Sequence, residues 1–161
     1  MHVQNRKGLD CAQRTVGRRE DPRTTKGEEA MKYVVPYCVT LLVFVTLDLI
    51  WLGAVAKLFY RTQLAGLIAV KFNLWAALAF YLVYPLGVVL FAVVPAVSSG
   101  SSTDAAVWGA LFGFFAYATY DLTNLATLRD WPVRLTVVDL AWGTVLTALA
   151  AACGQMITRS I

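Results

Sequence analysis

Residues 105–128 read AAVWGALFGFFAYATYDLTNLATL, an apolar run that places Asp121 and Asn124 one helical turn apart near its end. The run is long enough to cross a hydrocarbon core of ~30 Å as a helix, which needs ~20 residues. Three more blocks have the same character: Tyr33–Ala56, Phe72–Val97 and Leu135–Ile157. The whole chain is 58% hydrophobic, against roughly 45–50% in soluble domains, so it belongs in lipid. None of the blocks alternates with period two, which excludes a membrane β-barrel and leaves helices as the way to pair every backbone group. The expected fold is all-α, a four-helix transmembrane bundle with short loops occupying residues 31–161.

Residues 1–30 differ from this pattern, with seven Lys/Arg, five Asp/Glu and no aromatic residue. Such a composition cannot bury enough apolar surface to fold, and it lacks the apolar core of a secretory signal. The stretch is expected to be a disordered tail. Lys26-Gly27-Glu28-Glu29 back-translates to a purine-rich string just upstream of Met31, so the tail also reads as untranslated leader, with Met31 as the natural start. From Met31 onward, two basic residues (Lys32, Arg159) lie on one side of four spans and five (Lys57, Arg61, Lys71, Arg129, Arg134) on the other. The positive-inside rule then places loops 57–71 and 129–134 in the cytoplasm and both termini outside. Counting the tail would reverse that orientation.

Within the blocks, Pro36 is expected in a first helical turn, where its missing N–H is harmless. Pro85 is expected to kink its helix and to free the Tyr81 carbonyl. Asp104 is placed to cap the third span. Gly109, Gly113, Tyr117 and Asp121 recur every four residues, a small-residue stripe that lets helices approach closely and turns Asp121 toward a neighbour. Asp139, Gly143 and Thr147 repeat the device in the fourth span. Trp75, Trp108 and Trp131 fit interfacial anchors, and loop 57–71 fits a segment lying along the membrane surface.

From Met31 to the end there is no Glu and no His. Imidazole-type zinc and haem sites are excluded, as are Ser-His and Cys-His nucleophiles, and no cofactor is expected. What remains inside the spans is three carboxylates, Asp48, Asp121 and Asp139, all at similar depth beneath the basic loops. Tyr120 and Asn124 are expected beside them, with Trp51, Trp142, Asn73, Arg129 and Arg134 at the rim. A lone carboxylate at a helix centre costs ~2.5–3.5 kcal/mol on insertion scales. The three therefore share protons, pair with an inward-reaching Arg129 or Arg134, hold a cation, or act as interhelical hydrogen-bond glue worth ~0.6–2 kcal/mol per contact. Metal binding is left open.

The motifs VTLDLIWLG (45–53), YATYDLTNLATLRDWP (117–132) and VDLAWGTVL (138–146) resemble those of a family of predicted bacterial membrane proteins known as domain of unknown function 2177. The resemblance runs from Met31 essentially to the C-terminus and implies a small four-span inner-membrane protein, with no activity attached. Three function classes follow from the residues. One is a small-molecule or proton-coupled binding or transport module, associating as a homo-oligomer because four short helices enclose little volume. A second is a lipid-active membrane enzyme whose aspartates bind a divalent cation or serve as acid and base. The third is a non-catalytic accessory subunit. The expected partner is the lipid bilayer; no basic stripe interleaved with aromatics points to nucleic acid.

Overall fold

Every apolar block is helical in the computed structural model of the chain, which describes residues 22–64 and 71–160. Helix α1 spans Pro22–Trp51 and continues through a π-helical segment, Leu52–Ala56, into the short α2, Lys57–Gln63. Helix α3, Leu74–Val88, runs through a second π-helical segment, Val89–Val93, into α4, Val94–Ser99. The last two helices are α5, Ser102–Thr127, and α6, Val133–Ser160. No strand occurs among the described residues. Three rods, Ala30–Ala54, Leu74–Ser99 and Val133–Ser160, are long and apolar enough to cross a membrane. With 26 residues, α5 has the length, but its tyrosines, threonines and Asp121 dilute its apolar content.

The chain divides at Met31 into two units, Met1–Ala30 and Met31–Ile161. Residues 1–21 lie outside the described residues; 22–30 belong to α1. Helix over this polar stretch has a simple cause. Pro22 occupies the first helical position, where it is tolerated, and extending an existing helix costs far less than nucleating one. Pro36 is consequently interior to α1 and buried rather than in a first turn.

At the other helix ends, side chains meet the orphan backbone groups. The Asn73 side chain accepts from the Ala76 N–H and caps α3. Ser101, not Asp104, caps α5: its Oγ accepts from the Asp104 N–H at 3.1 Å, while Asp104 accepts from the Ser99 hydroxyl. Gly100 adopts φ 71° and terminates α4 with its N–H on the Ala96 and Val97 carbonyls. Its own carbonyl accepts from Arg159 at 2.6 Å, tying the end of α6 to the turn.

The small-residue stripe does what its spacing predicts. A Cβ added at Gly109 would lie 2.7 Å from the Ala151 Cβ, one at Gly113 would strike the Gly143 carbonyl oxygen, and one at Gly143 would enter the Tyr117 ring. Helices α5 and α6 thus touch backbone to backbone. Against them packs a core of Val88, Val89, Ala92, Val93 and Ala96, joined by Ala105 and Ala151. Phe44 of α1 inserts beside Leu146 and Ala150. After Pro85 the helix passes into its π segment, and the Tyr37 hydroxyl donates to the Leu82 carbonyl at 3.0 Å. The external donor therefore arrives one residue beyond the Tyr81 carbonyl expected to need it.

Large apolar side chains such as Leu42, Ile50, Val83, Phe91, Phe115 and Val137 face outward, as lipid requires. Along the outer face of α5 the hydroxyls of Thr119, Thr123 and Thr127 each donate to a carbonyl four residues back, on Phe115, Thr119 and Thr123.

Candidate functional site

The three span aspartates are all buried, Asp48 and Asp139 nearly so and Asp121 completely. They gather at one end of the bundle, where α1 and α5 finish and α6 begins. The helices supply the reason: Asp121 follows Gly109, Gly113 and Tyr117 on the packed face of α5, and Asp139 precedes Gly143 on the facing stripe of α6. Asp121 and Asp139 lie within electrostatic reach of each other, as do Asp139 and Asp48.

Their hydrogen bonding is unequal. Asp48 Oδ2 accepts from the Tyr81 hydroxyl at 2.7 Å, and its Oδ1 accepts a longer bond, 3.4 Å, from the Trp142 indole N–H. Asp139 Oδ1 accepts from the hydroxyl of Tyr60 on α2. Burial first, then the Asp139 hydrogen bond and charge, raises the Tyr60 phenol above its ordinary range, so it remains a donor. Neither oxygen of Asp121 has a hydrogen-bond partner among the described residues, and neither touches solvent. The Trp51 indole N–H is likewise buried and bonds no carboxylate; it lies beside the Tyr60 hydroxyl. Trp51 and Trp142 stack at 4.2 Å with an interplanar angle of 9°.

The expected margin is differently arranged. Tyr120 is 58% exposed and sits edge-on to Trp131, because its position on α5 is adjacent to Asp121 in sequence and so points off the packed face. Asn124 is half-buried. Asn73 spends its side-chain oxygen on the α3 cap, on the exposed surface. Arg129 and Arg134 are exposed, and neither forms an ion pair with a carboxylate among the described residues. Their long side chains reach water at lower cost than a buried pair would incur. Trp75 and Trp108 are exposed as anchors should be, whereas Trp131 is half-buried and donates to the Thr136 hydroxyl at 3.1 Å.

Tyr60, Tyr81 and Tyr84 are the tyrosines of the site that no spacing pattern marks. Tyr60, Tyr81 and Tyr117 meet the carboxylates or their neighbours, and Tyr84 bonds Thr147 at 2.8 Å. The available signal was that a phenol inside a spanning helix needs a polar partner. Tyr81→Phe is expected to lower stability by about 1–2 kcal/mol, since it removes the shorter of the two bonds to buried Asp48. Thermal unfolding in detergent measures this, and an unchanged midpoint would show that the bond carries no weight.

Long apolar helices closed around buried carboxylates define a membrane protein rather than a soluble bundle. The chain belongs to the family described as predicted membrane protein (DUF2177), whose profile matches residues 33–156. No curated protein and no solved structure matches it.

Proposed function

We propose that the protein is a four-span bacterial inner-membrane protein whose buried carboxylate site takes up a proton or a cation, as the core of a small-molecule or proton-coupled binding or transport module. The observation that carries this is Asp121, fully buried with both oxygens unpartnered among the described residues. An ionised carboxylate in that setting is too costly to persist without a counter-charge, so the group is either protonated or bound to a cation. Asp48 and Asp139, with phenol and indole donors, are the structural members of the cluster; Asp121 is the exchanging one. Asp139 tunes it, because two nearby carboxyls do not ionise independently.

Infrared titration tests the proposal directly. The purified protein should display a protonated-carboxyl C=O band that follows pH and disappears in Asp121→Asn, which keeps the shape of the side chain but cannot ionise. A band that is unchanged in the variant would overturn it.

The topology proposed here puts loops 57–71 and 129–134 in the cytoplasm and Ile161 and the 98–103 turn outside, following the basic residues of the loops. Reporter fusions after Ile161 and within 98–103 are expected to give periplasmic signals together. Cytoplasmic signals from both would reverse the orientation, and opposite signals would mean that only one of α5 and α6 crosses the membrane.

A further inference from the structure

The kind of cation follows from what surrounds Asp121. Among the described residues, Tyr81 and Trp142 donate to Asp48 and Tyr60 donates to Asp139, while no donor reaches Asp121. Arg129 and Arg134 stay on the surface. The cluster therefore carries more acceptor capacity than the described residues fill, and the deficit falls on the one carboxylate that is wholly sealed from solvent.

Hard cations are poorly served there. Calcium takes six to eight oxygen ligands, and magnesium about six in near-ideal octahedral geometry. Among the described residues no group of three or more Asp, Glu, His or Cys is arranged to hold a metal ion. The environment is aromatic instead. Tyr117 precedes Asp121 by one turn on the same face and packs on Gly143. Tyr60 lies within electrostatic reach of both Asp121 and Tyr117, and the stacked Trp51–Trp142 pair adjoins the cluster through Asp48. A buried carboxylate among aromatic rings is the chemistry that selects weakly hydrated organic cations, through charge pairing and cation–π attraction.

We infer that the ligand of the Asp121 site is a small monovalent organic ammonium ion, paired with the Asp121 carboxylate and enclosed by Tyr117, Tyr60 and the Trp51–Trp142 pair. The inference rests on the proposed carboxylate function. Tyr60 stands on α2, outside the long rods, and its phenol bonds Asp139.

The test uses the full chain in lipid nanodiscs, titrated with tetramethylammonium, methylammonium, sodium and magnesium chlorides at matched ionic strength. Thermal unfolding and tryptophan fluorescence are read together. At least one of the two ammonium ions should raise the unfolding midpoint and change the fluorescence saturably, with sodium and magnesium inert. Asp121→Asn should weaken the apparent affinity by about tenfold or more, as loss of a charge partner would. If that variant does not fold, the natural protein decides the matter: acidification through the infrared carboxyl titration should abolish the ammonium response. Equal responses to sodium, a larger response to magnesium, no response to either ammonium ion, or a response indifferent to both Asp121→Asn and pH would each overturn the inference. If the carboxyl band still vanishes in Asp121→Asn, only the ammonium assignment has failed. If the band also persists, the carboxylate function fails with it.

Discussion

Asp121→Leu is expected to unfold at a higher temperature than the natural protein while losing the pH-dependent carboxyl band. Leucine shares the branching of aspartate at Cγ, its two methyl groups standing in for the carboxylate oxygens, and the variant removes a group with two buried, unpartnered oxygens. On insertion scales an aspartate at a helix centre costs ~2.5–3.5 kcal/mol, less toward the interface, so a gain of about 1–3 kcal/mol is expected. The same exchange at Asp48 should have the opposite sign, because it strands the Tyr81 hydroxyl and the Trp142 N–H that now bond the carboxylate. A destabilised Asp121→Leu would mean that Asp121 is hydrogen-bond glue like its neighbours, and the proposed function would lose its support.

Gly113→Ala should be among the most damaging single-methyl additions in the chain. The new Cβ would meet the Gly143 carbonyl oxygen and lie 2.6 Å from Thr147 Oγ1. The first of these is backbone and cannot rotate away, so α5 and α6 must separate. Overpacking of this kind costs about 1–3 kcal/mol or more. A functional consequence should accompany it: parting the helices moves Asp121 away from Asp139, so the carboxyl band should shift in pH as well as the midpoint falling. By contrast, Gly53→Ala is expected to be nearly silent, since nothing lies within 4 Å of its added Cβ. Equal tolerance at the two glycines would contradict the close helix contact.

The helix contact and the burial of all three aspartates were legible because both are one-dimensional patterns. Gly109, Gly113, Tyr117 and Asp121 share a face by spacing alone, and a carboxylate inside an apolar run has few places to go except inward. Hydrogen-bond partners were not legible, because they cross the chain. Tyr81 meets Asp48 across 33 residues, Tyr60 meets Asp139 across 79, and Trp142 reaches Asp48 across 94 rather than serving Asp139 on its own helix. Nothing periodic announces such pairs. The arginines misled for the opposite reason: Arg129 and Arg134 are near the carboxylates along the chain, but their positions at the helix ends give them water instead. Asn73 has the polarity of a rim residue, but its place immediately before α3 commits it to capping.

The threonines on the outer face of α5 bear on how that helix meets its surroundings. A hydropathy scale assigns threonine the penalty of an isolated hydroxyl entering oil, and that penalty helps keep α5 below the apolar level of the other three rods. Thr119, Thr123 and Thr127 enter with their hydroxyls already bonded to their own helix. Folding back in this way, each offers the exterior mainly its methyl group and takes its acceptor from its own helix rather than from a neighbour. The effective polarity of α5 is therefore concentrated on the face that holds Asp121.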